Sequence, residues 1–175
     1  METRHLVDGL LAFDRLDELR ASRFFGRHGS ELESLLGTPQ TGGSPLKYGP
    51  APEFLRVVQW NIEKGLRFQG IAEQLATNPE LADADVIFLN EVDVGMARTG
   101  NRHVARELAE WLDCAWAFAP AHLELTKGVG AELDAPGDNA EALQGNAILS
   151  RYALRDVRVA PLTNCFEPYH FHEKR

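Results

Sequence analysis

Leu6, Leu10, Phe13, Leu16 and Leu19 recur three or four residues apart between charged positions. That spacing predicts a helix with one apolar stripe. Ser30-Glu31-Leu32-Glu33 has the form of a capping box and predicts a short second helix through Leu36. Residues 37–52, GTPQTGGSPLKYGPAP, are punctuated by Gly and Pro and read as an extended connection. From Phe54 the pattern changes to strand, helix, strand, helix. Residues 54–60 read as a strand, and 70–77 as a short helix carrying Ile71 and Leu75. Residues 85–90, DVIFLN, are a continuous apolar run, as expected of a central strand covered on both faces. Residues 101–113 read as a helix with Val104, Leu108, Trp111 and Leu112 on one face. Strands follow at about 115–119, 121–126, 146–150 and 154–160, with 127–145 a polar loop. The chain therefore divides into a helical extension over 1–36, a linker over 37–53 and a compact α/β unit over 54–175.

Composition narrows the function classes. The chain has 175 residues, 44% of them hydrophobic, enough for one domain with a real core. Its 18 basic and 26 acidic residues give a net charge of −8. That argues against a broad basic surface for duplex nucleic acid. It leaves room for a metal-dependent site acting on phosphate, because a metal ion supplies positive charge locally. Cys114 and Cys165 stand far apart and outside any CxxC spacing, so neither a zinc motif nor a disulfide framework is signalled. This composition fits a reducing, cytoplasmic setting. The charged N-terminal stretch does not read as a signal peptide, and no window reads as a membrane span.

Two polar groups stand out because each ends an apolar run. VVQWNIEKG, residues 57–65, stops its β-formers at Asn61, and VIFLNEVD, residues 86–93, stops at Asn90-Glu91. A carboxylate at a strand end is an oxygen ligand suited to Mg²⁺, which commonly takes one or two carboxylates and keeps several waters. An amide beside it can orient the carboxylate or hold a phosphate oxygen. The plainer reading has Asn61 capping a turn and Glu91 solvated, and pattern alone leaves both open. Under the first, Asn61 and Glu91 lie on adjacent strands with converging side chains. Glu132, Asp134 and Asp138 lack the EF-hand spacing and read as a solvated acidic loop. His170 and His172 would share a face of a strand, but with no third ligand nearby they read as surface residues. No Gly-rich phosphate loop follows the first strand, which disfavours a nucleotide-binding α/β domain.

VVQWNIEKG, then DVIFLNEVDVGMARTGNRHVARELAEWL, then GNAILSRYAL, taken in order, resemble the first half of the endonuclease/exonuclease/phosphatase superfamily, whose fold is that of pancreatic deoxyribonuclease. The resemblance covers residues 54 to about 160. It implies the first half of a four-layered β-sandwich flanked by helices, and a Mg²⁺- or Mn²⁺-dependent hydrolase of phosphodiester or phosphomonoester bonds. Its substrate would be a nucleic acid, a phospholipid headgroup or a nucleotide. By position, Glu91 resembles the family's metal-binding glutamate, and Asn61 the first-strand asparagine that helps bind metal and phosphate. The resemblance also makes Arg98, His103 and Asn146 candidates for substrate contact and Asp93 a candidate supporting group for Glu91. For Arg98 a solvated loop charge, and for His103 an exposed helix residue, are the competing readings.

The resemblance further implies an Asp-x-Asn motif and a late Asp-His pair, and neither follows NAILSR. The expectation is therefore the N-terminal part of a longer protein, inactive alone, with one sheet face left open. The alternative from another class is a non-catalytic interaction module that uses this exposed sheet face.

Overall fold

A computed structural model describes residues 3–47, 49 and 52–160, and the backbone of 169–170. The core of the architecture is one mixed sheet. Strand β2 (Val57–Lys64) runs parallel to β3 (Val86–Val94), and α4 (Phe68–Thr77) makes the crossover between them. A parallel pair requires such a crossover. Strand β5 (Leu143–Ser150) pairs antiparallel with β3 and with β4 (Ala115–Glu124). At the far edge β1 (Gln40–Gly42) pairs antiparallel with β4, giving the order β1-β4-β5-β3-β2. The two-residue strand β6 (Tyr169–His170) lies parallel to the end of β4.

The register shows which side of the sheet is which. Trp60, Leu89, Ala147 and Phe118 form one row across four strands, and all four belong to or pack on the hydrophobic core. Helices α4, α5 (Val104–Leu112) and α3 (Arg23–Gly37) bring Leu75, Leu108 and Leu32 into that core. The adjacent row is Gln59, Phe88, Ile148, Ala117 and Thr41. Successive residues of a strand point to opposite faces, so this row lies on the other face, where Phe88 keeps 41% of its surface exposed. Val57, two residues before Gln59 on the same face, is 53% exposed.

Several sequence expectations are corrected. The N-terminal stripe forms two helices, α1 (Arg4–Leu10) and α2 (Leu16–Ala21), rather than one. Leu6, Leu10 and Leu19 are nonetheless buried in the same core as the sheet, and Phe13 and Leu16 pack against it. Helix α3 starts at Arg23, not near Ser30. Ser22 is extended at φ −81° and ψ 157°, and its hydroxyl accepts from Phe25 N, the geometry of an N-cap. Ser30 falls inside the helix, where backbone donors are already engaged. Within the proline- and glycine-rich connection, Gln40–Gly42 adds an edge strand. The two strands expected at 115–126 are one, with a register shift between Pro120 and His122. Proline has no N–H to give the ladder, which is why the shift falls there. Trp111 is 49% exposed rather than on the buried face of α5; Ala105 and Ala109 fill that face with Val104 and Leu108. Residues 154–160 form no strand.

Candidate active site

Strands β2 and β3 are both irregular at the same level. Between Leu89 and Val92 the pairing to β5 advances from Ala147 to Gly145. Three steps on β3 thus match two on β5, so β3 carries one extra residue, which defines a β-bulge. The bulge keeps Leu89 and Val92 both buried, at 1% and 0% exposure, although an odd separation would otherwise place them on opposite faces. Glu91 sits in the bulge with φ +53°, a left-handed conformation uncommon outside glycine. Strand β2 shifts register in the same place, between Asn61 and Lys64, and Glu63 and Lys64 are also left-handed at φ 49° and 68°. Each such residue costs on the order of 1–3 kcal/mol. The result is that Glu91 is turned toward the neighbouring strand instead of into the core.

There it meets Asn61. Asn61 Nδ2 donates to Glu91 Oε1 at 2.8 Å, and Asn61 Oδ1 accepts from Glu63 N at 3.0 Å. The orientation of the amide follows from chemistry: a backbone N–H requires an oxygen opposite it, and a carboxylate requires a donor. Asn61 therefore directs its NH₂ at Glu91 and commits its oxygen to the bulged backbone. Among the described residues, no group of three His, Cys, Asp or Glu ligand atoms converges at Glu91.

A row of amides lies beside this pair on the open face. Gln59 Nε2 donates to Asn90 Oδ1 at 3.1 Å, and Asn90 Nδ2 donates to Asn146 Oδ1 at 2.9 Å. The row spans β2, β3 and β5, with Asn146 exposed. Gln59 and Asn90 have no role in the sequence reading. Their signal was present in the alternation of Gln59 and Asn61 along β2, two polar positions on one face. Glycine is required nearby: a Cβ on Gly145 would lie 2.1 Å from Ala119 O, closing the gap between β5 and β4.

Arg98 is a correction: it is not a solvated loop charge, and its guanidinium is not open to a phosphate. Its side chain is 1% exposed and forks onto Asp93, with Nε to Oδ2 at 2.8 Å and Nη2 to Oδ1 at 2.9 Å. Arg98 Nη1 reaches Glu132 Oε2 at 3.1 Å, and Lys64 Nζ reaches Glu132 Oε1 at 3.0 Å. Burial pushes the Asp93 carboxyl up, opposed by the Arg98 guanidinium. On Arg98 burial pulls downward, and the fork onto Asp93 outweighs it. Glu132, expected to be solvated, instead ties the 3₁₀ turn at Gly130–Asp134 to the strands, and it also accepts from Val129 N. Asp93 supports this cluster rather than contacting Glu91.

His103 is also placed away from the surface. It is 6% exposed and caps α5: Nδ1 accepts from Arg106 N at 3.2 Å, and Nε2 lies 2.9 Å from Gln40 Oε1. An accepting Nδ1 leaves the proton on Nε2, which donates to Gln40. The ring stands edge-on to Trp116 with centroids 4.7 Å apart. Burial, aided by the Arg106 charge, lowers its pKa to about 4. An unfolded histidine titrates near 6.5, so between pH 4 and 6.5 the unfolded chain binds more protons. The contribution is fully present above pH 6.5 and is lost as pH falls toward 4. Acidification through this window is expected to cost the wild type about 3 kcal/mol more than His103→Gln, read from denaturant midpoints at several pH values. Equal pH slopes in the two proteins would refute the buried neutral ring.

Of the remaining candidates, His172 lies outside the described residues, and for His170 only the backbone is described. Cys114 is buried, and burial pushes its thiol up to about 11, so it offers no nucleophile. No helix among the described residues is long and apolar enough to cross a membrane. Compared with known proteins, the chain finds no match among curated proteins and none among solved structures. A family model described as Endonuclease/Exonuclease/phosphatase family matches residues 58–167, more than half of the chain. That span opens on β2, takes in the bulged strand with Glu91 and contains the whole of β5; the chain belongs to the endonuclease/exonuclease/phosphatase family, whose members hydrolyse phosphoester bonds.

Proposed function

We propose that this chain carries the metal-binding strand pair of a divalent-metal-dependent phosphoester hydrolase. Glu91 is the ligand for Mg²⁺ or Mn²⁺, and Asn61 is the residue that positions it. The observation that carries this reading is the bulge at Glu91, where a left-handed backbone is maintained and the carboxylate meets a directed amide. Backbone strain of this kind collects at functional sites. The donor chemistry fits the ion: one carboxylate, held by an amide at one oxygen and with no partner among the described residues at the other, suits Mg²⁺, which is bound through few carboxylates together with waters and substrate phosphates. When bound, the metal neutralises charge on the phosphate oxygens and lowers the pKa of a bound water.

The chain's own residues supply orientation. Asn61 stops Glu91 from rotating, and its tie to Glu63 N fixes the amide in turn. The row Gln59–Asn90–Asn146 offers neutral donors on the open face, suited to the oxygens of a phosphodiester or phosphomonoester. The substrate is a nucleic acid strand, a phospholipid headgroup or a nucleotide. The net charge of −8 disfavours an extended duplex footprint.

Groups that orient a metal ligand typically contribute 10–100-fold in affinity. Asn61→Ala is therefore expected to weaken Mn²⁺ binding by about that factor, and Glu91→Gln to remove it, as measured by calorimetry on protein with unchanged circular dichroism. A second reading, an interaction module docking through the open face, is favoured by the exposure of Phe88 and Val57. Under it, neither substitution changes the response to metal.

A further inference from the structure

A cluster of ligand atoms lies far from β2 and β3 in sequence, on the N-terminal helices. His5 is on α1, and His28 and Glu31 are one turn apart on α3. His5 Nε2 is 3.0 Å from Glu31 Oε1, and His28 Nδ1 is 3.0 Å from Glu31 Oε2. One nitrogen from each ring and one carboxylate oxygen all lie within 4.8 Å of one another. We propose that His5, His28 and Glu31 form a Zn²⁺ site that clips α1 to α3.

Three features separate this cluster from an incidental surface contact. The first is its donor set. Two imidazoles and a carboxylate are a recurrent three-ligand set for zinc, with the fourth position left to water or another ligand. Imidazole nitrogens favour Zn²⁺ over the hard, oxygen-seeking Mg²⁺. The second is how the ligands are brought together. Leu6 and Leu10 of α1 and Leu32, Leu35 and Leu36 of α3 are buried in one core, so core packing sets the distance between the ligand-bearing helices. The His28 ring rests on Phe24 with centroids 4.9 Å apart, and Phe24 in turn packs near Phe13 at 6.1 Å. The third is the small adjustment required. Tetrahedral bonds of about 2.0–2.1 Å place ligand atoms roughly 3.4 Å apart. His5 and Glu31 are exposed and His28 is only half-buried, so side-chain rotation closes the gap without moving a helix. An exposed His–Glu contact contributes little by itself, whereas a bound ion would join two helices, one of them seven residues long.

The test is a calorimetric Zn²⁺ titration of the full chain in excess Mg²⁺, paired with thermal melting. The expected result is one Zn²⁺ per chain and a raised melting temperature. Binding should be at least tenfold weaker in His5→Gln or His28→Gln and lost in the double variant, but retained in Glu91→Gln. Retention there separates this site from the proposed catalytic one, so either can fail without the other. Gln is close to His in size and is a good helix former, and circular dichroism checks that the double variant is folded. No Zn²⁺ binding by the wild type, or binding unchanged in the folded double variant, would overturn the proposal.

Discussion

Arg98→Met is expected to destabilise the fold by about 3–5 kcal/mol, because it removes the partner of a buried charge. Asp93 has no exposed side-chain surface, and Arg98 is its bidentate counter-ion. With Arg98 gone, the carboxylate must stay charged in a dry environment or take up a proton, and either is costly. Small domains are stable by only about 5–15 kcal/mol, so the change is large enough to read directly from a denaturant midpoint with an unchanged m-value. Arg98→Lys should also be poorly tolerated, since a single ammonium cannot make the two parallel bonds of the fork. The double variant Asp93→Asn with Arg98→Met should cost less than the two single losses added together, because no bare Asp93 carboxylate is left opposite the missing guanidinium. A loss below 1 kcal/mol in Arg98→Met would mean that the buried cluster does not hold the loop to the strand ends as described.

The second large expected effect is on turnover. The 175-residue chain, assayed with Mg²⁺ or Mn²⁺ against a generic phosphodiester and a phosphomonoester, is expected to lack efficient hydrolysis. Hydrolysis needs a metal, an activated water and stabilisation of charge on the phosphate. Glu91 and Asn61 address the first, and the amide row could serve the third. Among the described residues His103 is engaged at both ring nitrogens, and Arg98 is forked onto Asp93, so neither is available to move a proton or grip a phosphate. Absence of a general base typically costs on the order of 10²–10⁴-fold. Robust hydrolysis that disappears in Glu91→Gln would show that a water-activating group is already in place, and His170 would be the first position to replace.

How much of this was legible in the sequence depends on the range of the interactions. The ends of β2 and β3 were readable because an apolar run that stops on Asn61 or on Asn90-Glu91 is a local signal. The bulge was not, since an extra residue in β3 is defined only by its pairing with β5, more than fifty positions away in sequence. Arg98 misled for the same reason. Asp93 is only five residues away, but the loop that closes over the pair comes from Glu132, 34 residues distant, and a charge in a glycine-flanked turn gives no local sign of being enclosed. His103 was hidden by its role: histidine is an unusual N-cap, and its burial depends on Gln40 and Trp116 from strands that the helix pattern does not mention. At α3 the local rule itself competed with an alternative. The capping-box form at Ser30 was the local signal read, but apolar residues continue back through Phe24 and Phe25 onto the core, and the helix is capped earlier, at Ser22.

Glu91, aimed by a strained bulge and by Asn61, is proposed to receive a divalent metal. Paramagnetic line broadening reads this out: Mn²⁺ is titrated into isotopically labelled chain and the backbone amide resonances are followed. His5→Gln/His28→Gln is the background, so that the N-terminal cluster does not contribute. Broadening is expected to begin at residues 61–63 and 90–92 and to disappear when Glu91→Gln is added to that background. Broadening centred elsewhere, or persisting at these residues after Glu91→Gln, would contradict it.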